Sequence, residues 1–359
     1  MIRWKHMNET KPTSRQQKIL DFLAKTTPKT RAEIAKEANL EEKVSKITLL
    51  RDLNSLIDQG LLATEGKGRY VKYKTTRKTG LLSPVGLDNY FETPPDSRTL
   101  KSENFNFSVF SALKSAKLLN PKEEAIFEQG REKLTKKFKT LDPTIIRKEL
   151  ERFTIELSWK SSQIEGNTYS LLETEELIKN KKEAKGHSKE EALMILNHKE
   201  AFGTILEHKK DYREISLHDL RALHATLTKD LEIKEGLRKH AVGITGTKYI
   251  PLDNQQQITE ALEKTLRLLK NEKSIPEKAL LLLAMISYIQ PFGDGNKRTS
   301  RMISNALLLA NGYYPLSYRS VDEVEYKKAL LLFYEQNNLF HLKRLFVEQQ
   351  EFAVKSYFI

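Results

Sequence analysis

The sequence predicts a mainly α-helical protein that begins with a smaller α+β domain. Apolar residues recur at helical spacing over most of the 359 residues, and strand-like segments are confined to residues 61–74 and 242–251. The first 80 residues hold 18 Lys and Arg against 9 Asp and Glu, which separates them from the rest. We therefore expect an N-terminal domain at residues 1–76, a linker at 77–105 and a helical domain at 106–359.

Composition narrows the class of protein further. Hydrophobic residues make up 39% of the chain, and no apolar run approaches the roughly 20 residues that cross a bilayer. The start, residues 1–6, lacks the apolar stretch of a secretory signal, and the absence of cysteine fits a reducing compartment. We expect a cytoplasmic protein with no membrane segment. Its net charge of +13 favours a polyanionic partner.

The N-terminal domain is predicted to hold three helices followed by a two-stranded ribbon. The first helix covers about residues 14–25, the second begins at the capping box of Thr30 and Glu33, and the third covers about residues 42–59. The ribbon follows at residues 61–74, around a glycine-containing turn. Apolar residues at helical spacing indicate the buried side of the third helix: Val44, Ile47, Leu50, Leu53, Leu56 and Ile57.

Residues 77–105 have little periodicity and contain three prolines, which predicts the linker. After the linker, one helical pattern follows another to about residue 340. The predicted helices are Val109–Leu119, Pro121–Leu141, Pro143–Glu165, Thr174–Lys182, Lys189–Lys210, Leu217–Leu231, Gln255–Asn271, Pro276–Ile289, Arg298–Asn311 and Glu323–Phe340. The exception is Val242–Pro251, whose glycines and Tyr249 indicate a small β-hairpin.

The most informative segment is residues 289–301. An apolar helix runs into a turn of Pro, Gly and Asn residues, and a second helix begins near Arg298. Such a turn directs free N–H groups and the positive end of a helix to one point, which suits phosphate. Asp294 can hold a magnesium ion, and Arg298 and Arg301 share one helical face. The residues alone leave a plain polar turn with solvated arginines equally open.

This segment resembles the signature of the Fic family, His-x-Phe-x-Asp/Glu-Gly-Asn-Gly-Arg-x-x-Arg. The matching residues are Phe292, Asp294, Gly295, Asn296, Arg298 and Arg301. Two positions depart from it, since Gln290 stands at the histidine and Lys297 at the second glycine. The resemblance extends over about residues 106–350 and implies an all-helical Fic domain that binds ATP with Mg²⁺.

The resemblance also implies roles for the matched residues. Phe292 would anchor the loop and Asp294 would bind magnesium. Gly295 and Asn296 would form the anion hole, and Arg298 and Arg301 would hold the phosphates. We add Gly293 and Lys297 to the nucleotide-binding residues, although the long cation of Lys297 could instead alter the orientation of the nucleotide. Fic enzymes transfer AMP from ATP to a protein hydroxyl, whose proton the motif histidine removes. Glutamine cannot titrate near neutral pH, and losing a general base typically costs about 10²–10⁴-fold in rate. We expect weak or absent transfer at Gln290.

Three histidines could in principle replace the missing base, and all fall within predicted helices: His198, His218 and His224. Packing or solvent contact is the alternative role for each. A fully active transferase that uses one of them is a third hypothesis beside the two developed below.

Two further segments are similar to Fic elements. Residues 161–167 are similar to the family's inhibitory motif, Ser/Thr-x-x-x-Glu-Gly/Asn, with Ser161 and Glu165 on one helix face and Gly166 after them. By analogy Glu165 would pair with Arg301 and block the terminal phosphate. Without the family, Glu165 is a surface carboxylate at the end of a helix.

The second segment is Gly243–Pro251, which is similar to the flap that pairs with an extended segment of the target protein. The flap residues that we select are Thr247, Tyr249 and Pro251. A simple connecting loop is the alternative. The target protein itself is not indicated by the sequence.

The N-terminal domain resembles the winged helix-turn-helix of transcription regulators. That resemblance implies a third helix in the major groove, with an exposed face formed by Lys43, Ser45, Lys46, Thr48, Leu49 and Arg51. Lys67, Arg69, Lys72 and Lys74 on the wing would contact phosphates. A protein-interaction module is the alternative. The second functional hypothesis is therefore a DNA-binding regulator whose Fic domain senses nucleotide or forms a homodimer.

Overall fold

The computed structural model describes residues 13–24, 26–38, 40 and 44–358, with the side chains of residues 69, 77 and 78 excepted. Residues 1–12 of the predicted N-terminal domain, Lys43 and the side chain of Arg69 therefore lie outside the described part. The chain divides into two compact units. One comprises the described residues up to Gly86 together with Ser111–Lys117, and the other comprises Leu87–Phe110 and Leu118 onwards.

The first unit is α+β, as the sequence predicts. Its elements are α1 (Ser14–Ala24), β1 (Lys29–Thr30), α2 (Arg31–Glu37), α3 (Lys46–Asp58), β2 (Leu62–Glu65), β3 (Lys72–Thr75) and α4 (Arg77–Leu82). The strands form an antiparallel sheet in the order β1-β3-β2, with Thr64 opposite Tyr73. The predicted capping box of Thr30 and Glu33 is present at the start of α2. The helices and the sheet enclose one apolar core: Ile19, Leu20, Leu23, Ile34, Leu49, Leu53, Leu56, Leu61 and Leu62.

The buried face of α3 differs from the predicted one. Leu49, Leu53 and Leu56 are buried, whereas Ile47 is 72% exposed and Leu50 37% exposed. A helix places residues four and seven apart on one side, so burial of Leu53 and Leu56 selects Leu49 and turns its two apolar neighbours outward. The prediction that Ile47 and Leu50 are buried, and that Leu49 belongs to the exposed face, was wrong.

The second unit is helical, which confirms the predicted class. Its helices are α5 (Leu87–Glu92), α7 (Pro121–Thr140), α8 (Pro143–Ile164), α9 (Leu171–Asn180), α10 (Lys189–Glu207), α11 (Leu217–Thr228), α12 (Gln255–Asn271), α13 (Ile275–Ile289), α14 (Asn296–Ala310), α15 (Glu323–Gln336) and α16 (Phe340–Ser356). Helix α6 (Ser108–Ser115) spans the division at residue 111. From Pro276 to Ile289, nearly every residue of α13 is buried, so this helix lies in the core of the unit.

The C-terminal end of the helical pattern also differs from prediction. The sequence predicts one helix over Glu323–Phe340, but α15 ends at Gln336 and α16 begins at Phe340. Asn337 adopts a left-handed conformation (φ 49°), which ends α15, and the Asn338 side chain accepts a hydrogen bond from the Phe340 N–H. Helix α16, which the sequence reading missed, packs on α7 through stacked Phe127 and Phe346 rings.

Residues 77–105, predicted as a linker, contain the short helices α4 and α5 and a 3₁₀ turn at Pro95–Ser97. Within the second unit, Arg98 is buried and forms a two-bond fork with the Glu335 carboxylate, at 2.9 and 2.8 Å. Part of the predicted linker is therefore packed structure. The predicted domain bounds themselves stay a prediction.

Residues 242–251, expected to form a small hairpin, run as an irregular loop. A turn lies at Thr245–Gly246, and the segment has no strand pairing within itself. Instead the Ile250 N–H donates to the Glu103 carbonyl at 2.7 Å, in a single parallel bridge beside Asn104. The backbone of this loop thus finds its partner in a distant part of the chain. Among the described helices, none is long and apolar enough to cross a membrane.

Candidate functional site

The turn between α13 and α14 forms the centre of the candidate site. Gln290 ends α13 in a left-handed conformation (φ 51°, ψ 59°), and α14 begins at Asn296, earlier than the predicted Arg298. Gly295 stands at the N-cap of α14, and no side chain caps the first turn of that helix. The N-terminal N–H groups of α14 therefore point out of the turn without a capping side chain, which is a suitable arrangement for an anion.

Glycine is strongly favoured at position 295. Its φ is 76°, and a Cβ atom would come within 3.0 Å of the Thr228 Cγ2 atom and 3.4 Å of the Arg298 guanidinium. The left-handed backbone and the close approach of α11 both disfavour a side chain at this position. The turn is thus held tightly against α11.

Asn296 holds the turn together from within. Its Oδ1 accepts from the Phe292 N–H at 2.8 Å, and its Nδ2 donates to the Phe292 carbonyl and to Gln290 Oε1, both at 2.9 Å. Gln290 in turn donates from Nε2 to the Ser287 carbonyl at 2.7 Å. Both polar ends of the Gln290 amide are therefore engaged inside the loop, and the residue is only 8% exposed.

His224 on α11 supports the opposite side of the turn. Its ring stacks on Phe292, with the centroids 3.7 Å apart, and its Nε2 lies 3.0 Å from the Asp294 carbonyl. Burial lowers the pKa of His224 to about 4, so the ring is neutral and Nε2 carries the proton that it donates. Phe292 is fully buried, in the anchoring position that the resemblance implies.

Arg298 and Arg301 are both buried on α14, but their contacts differ. Arg301 donates from Nε to Ser161 Oγ at 2.9 Å, and from Nη2 to the Ser161 carbonyl at 2.9 Å and to Glu165 Oε1 at 2.8 Å. Arg298 has longer contacts, 3.4 Å to the Leu227 carbonyl and 3.5 Å to Asp294 Oδ2. The structure thus brings Ser161, Glu165 and Arg301 together, and leaves Arg298 more loosely held.

Glu165 lies between two cations. Its second oxygen, Oε2, is 3.3 Å from Lys297 Nζ. Burial raises the pKa of the Glu165 carboxyl, but the charges of Arg301 and Lys297 and the hydrogen bond from Arg301 outweigh burial and hold the pKa at about 2. Glu165 is therefore ionised at neutral pH. It is the C-cap of α8, and Gly166 follows it with a φ of 104°.

His198 on α10 completes the contacts of Ser161. Its Nδ1 lies 2.8 Å from the Met194 carbonyl and its Nε2 lies 2.9 Å from Ser161 Oγ. Burial lowers the pKa of His198 to about 3, so one nitrogen donates to Met194 and the other accepts from Ser161. The Ser161 hydroxyl accepts from Arg301 and donates to His198, which fixes its orientation.

The metal-binding prediction falls on Asp294, whose side chain is 74% exposed beside Arg298. In the described part of the chain, three or more His, Asp or Glu side chains do not gather at any point in a way that could hold a metal ion. A single carboxylate still fits Mg²⁺, because this ion is commonly bound by one or two carboxylates together with substrate phosphates and water.

The loop residues selected as a flap lie close to the site. Tyr249 is buried, stacks on Tyr288 and donates its hydroxyl hydrogen to the Tyr288 carbonyl at 2.9 Å, one residue before the end of α13. Thr247 Oγ1 accepts from the Tyr249 N–H at 3.1 Å, and Pro251 is buried. Ile250, between them, is 48% exposed.

In the first unit, most of the residues selected for DNA contact are accessible. Lys46, Arg51, Lys67 and Lys72 are exposed, and Thr48 is half-buried, with its hydroxyl 2.8 Å from that of Ser45.

In the second unit, the contact of Lys297 with Glu165 and the contact of His198 with Ser161 were not predicted. For Lys297 a signal was available, because a lysine stands where the family signature has glycine. No sequence signal pointed to the contact of His198.

Comparisons with known proteins bear on the second unit. Residues 214–308 match the model of the Fic/DOC family. The chain is 32% identical over 185 residues to "Protein adenylyltransferase Fic" of Culex quinquefasciatus, covering 49% of this chain and 36% of that protein. It is 30% identical over 185 residues to the protein of the same name from Nematostella vectensis, covering 48% and 41%. The chain thus spans less than half the length of these relatives.

Solved structures show the same fold. "Fic-1 (aa134 - 508) from C. elegans" aligns with a TM-score of 0.53 and 19% identity, over 65% of this chain and 70% of that one. A Fic family protein from Desulfovibrio desulfuricans G20 aligns with a TM-score of 0.53 and 19% identity, over 66% and 74%. At this level of identity the likeness is one of fold.

Proposed function

We propose that this chain, which carries a Fic domain at residues 214–308, binds ATP with Mg²⁺ in a site restrained by Glu165. AMP transfer to protein hydroxyls is weak or lost in this proposal, because Gln290 replaces the general base. The observation that carries it is the Glu165 carboxylate, an anion seated on Arg301 and Lys297 beside the uncapped start of α14.

The charges around α14 support polyphosphate as the ligand. Arg301 is buried, and besides its hydrogen bonds to Ser161 it forms an ion pair with Glu165, the C-cap of α8. When Glu165 leaves, two cations and the helix N-terminus are available to a terminal phosphate, which offers the oxygens that guanidinium groups bind best. Arg298 contributes a further positive charge, and Asp294 would hold Mg²⁺, which would supply charge to neutralise the phosphates. The curated relatives named above are adenylyltransferases, which supports ATP as the nucleotide.

The histidines near the loop are poor replacements for the base. His224 and His198 are fully buried and neutral, and both have structural hydrogen-bond partners. His218 is exposed on α11, and no contact of it with the loop is apparent. The amide of Gln290 is itself taken up by Ser287 and Asn296. These contacts favour nucleotide binding over turnover.

The loop of residues 242–251 is the proposed contact for a target protein. Tyr249 anchors it beside the end of α13, so an extended segment lying along it would bring a hydroxyl close to Gln290. A target of this kind is an extended peptide segment with Ser, Thr or Tyr.

A second candidate function is DNA binding by the first unit, used as a winged helix. It is favoured by the exposed cations of α3 and of the β2–β3 connection, namely Lys46, Arg51, Lys67 and Lys72. The Fic domain would then act as a nucleotide sensor or dimerisation body. A mobility-shift experiment with promoter DNA of the protein's own gene, with and without ATP, tests DNA binding. If the DNA does not shift at low salt, this second function is wrong.

The leading proposal is tested by calorimetry of ATP and Mg²⁺ with the wild type, Glu165→Gly and Gln290→His. We expect Glu165→Gly to bind ATP more tightly than the wild type, and Gln290→His to bind it as the wild type does. The same proteins are then assayed for AMP incorporation. If Glu165→Gly does not bind ATP at millimolar concentrations, the proposal is wrong.

A further inference from the structure

Arg238 lies behind the turn at Gln290, and we propose that it is a positioning residue that holds the loop of residues 290–297 in its binding conformation. The inference rests on the nucleotide binding proposed above. Arg238 lies between α11 and α12, outside the Fic signature, and is 7% exposed.

Arg238 donates hydrogen bonds to three consecutive backbone carbonyls, at the end of α13 and at the start of the turn that follows it. Nε donates to the Gln290 carbonyl at 2.6 Å, and Nη2 donates to the Ile289 carbonyl at 3.4 Å. The backbone N–H of Arg238 donates to the Pro291 carbonyl at 3.0 Å. Three consecutive residues at the end of α13 are therefore held by one arginine.

These contacts suit a buried cation. The carbonyls at the C-terminus of a helix carry the negative end of its dipole, so they compensate a charge that would otherwise be costly to bury. A guanidinium can reach several of them at once because its donors form a planar fork, which an ammonium cannot do.

The turn needs such support. Gln290 has a left-handed backbone, which for a residue other than glycine persists only where the surroundings enforce it. All the groups proposed to hold phosphate follow this turn directly, at residues 293–301. A shift of the turn therefore moves the whole set, and an error of about 1 Å in such a site can cost about 100-fold in activity.

Arg238 also reaches towards the proposed target loop. Its Nη1 donates to the His240 carbonyl at 2.6 Å, two residues before the loop of residues 242–251 begins. The same side chain thus fixes both the turn that precedes the phosphate site and the start of the loop proposed to receive the target. We infer that Arg238 sets the spacing between these two parts.

The first test is hydrogen–deuterium exchange without nucleotide, which does not depend on the proposed function. In Arg238→Lys the charge stays and the fork is lost, so we expect faster exchange of the amides of residues 289–297. The matched control is Arg98→Lys, since Arg98 is equally buried and forks onto Glu335. Arg98 also donates to the Gly246 carbonyl, so the control is expected to change exchange around residues 246 and 335 only. The proposal is overturned if the amides of residues 289–297 exchange in Arg238→Lys at the wild-type rate. It is also overturned if their exchange is accelerated equally in Arg238→Lys and Arg98→Lys.

The second test measures ATP and Mg²⁺ affinity in the Glu165→Gly background. Arg238→Lys should weaken binding by about 10- to 100-fold, as expected for a displaced site, and Arg98→Lys should leave it unchanged. If the background protein does not bind ATP, the proposed function fails while the exchange result still decides the role of Arg238. If Arg238→Lys does not fold, Arg238→Gln, which keeps one donor, takes its place. Failure of both to fold, with Arg98→Lys folded, overturns the proposal, because Arg238 then serves the fold as a whole.

Discussion

The two sides of the α13–α14 turn are held in different ways. On the phosphate side, which comprises Glu165, Lys297, Arg298 and Arg301, the contacts are ionic and come partly from another helix, α8. On the hydroxyl side, which comprises Gln290 and Asn296, the contacts are neutral hydrogen bonds within the loop itself. The carboxylate on the first side can be replaced by another anion. The Gln290 amide on the second side is bonded to Ser287 and Asn296, and a bound anion would not take its place.

In the proposed function, the restraint of Glu165 on nucleotide binding is therefore reversible, whereas the loss of the general base at Gln290 is permanent. Departure of Glu165 leaves the cations intact and ready for a phosphate, whereas no movement of Gln290 creates a titratable group. Under the proposed function, release of Glu165 would therefore restore nucleotide binding without restoring AMP transfer. Variants on the two sides should show this as separate effects on affinity and on rate.

The largest effect is expected when the base is restored. In a Glu165→Gly background, Gln290→His should raise AMP incorporation by about 10²–10⁴-fold, because it supplies the general base. Labelled ATP and intact-mass measurement of candidate targets report the change. Gln290→Ala in the same background is the control and should stay at the low rate. If His and Ala give the same rate, the hydroxyl side does not limit transfer.

The next effect concerns the restraint alone. Glu165→Gly should raise ATP affinity by about 5- to 150-fold, the range of typical coupling between two sites, with little change in the rate of transfer. Calorimetry gives the affinity. Glu165→Gln is the matched control because it keeps the size of the side chain and loses the charge; it should give most of the gain. If ATP affinity rises in Glu165→Gly but not in Glu165→Gln, the rise comes from backbone freedom after α8 and not from loss of the charge.

A smaller effect is expected at Lys297. The Lys297–Glu165 pair is longer and more exposed than the Arg301 pair, and such pairs contribute about 0.2–1 kcal/mol. Lys297→Gly should therefore raise ATP affinity by less than Glu165→Gly does, or leave it unchanged if Lys297 also binds phosphate. Comparing Lys297→Gly with and without Glu165→Gly separates these two roles. A loss of affinity in both backgrounds would make Lys297 a phosphate contact only.

The smallest effect should appear on changing pH near neutrality. The folded pKa of Glu165, about 2, lies below the ordinary value of about 4.3, so its stabilising contribution is complete above pH 4.3 and is lost as pH falls towards 2. Thermal unfolding of the wild type and Glu165→Gln should therefore differ by a constant amount from pH 5 to 8 and converge at lower pH. Burial lowers the pKa values of His198 and His224, which also reduces stability below about pH 6.5, by the same amount in both proteins down to about pH 5. At lower pH the Glu165 charge, which raises the pKa of His198, adds to the difference between the two proteins. A difference that changes between pH 6 and 8 would contradict this assignment.

Local patterns predicted much of this molecule. The helix–turn–helix of residues 289–301 follows from an apolar run that meets Pro and Gly, and the pair of Ser161 and Glu165 follows from their spacing on a helix. The inward direction of Gln290 and Asn296 could not be predicted, because it depends on the left-handed turn between them. The structure of residues 242–251 was missed for a similar reason, since their partner, Glu103, is distant in sequence.

The other errors have physical causes too. Helix α3 carries more apolar residues than one face can bury, so spacing alone could not choose between Leu49 and Leu50. The stop at Asn337 was overlooked because asparagine, unlike glycine or proline, also occurs inside helices.

Glu165 is the last residue of α8 in structural terms, its C-cap, and Gly166 gives the chain freedom directly after it. In the proposed function, the carboxylate would therefore leave Arg301 by a local rearrangement at Glu165 and Gly166, while α8 itself stays folded. Release of this restraint would then be a local event within the second unit. A ligand or a partner protein that contacts the residues after α8 would change how often it occurs.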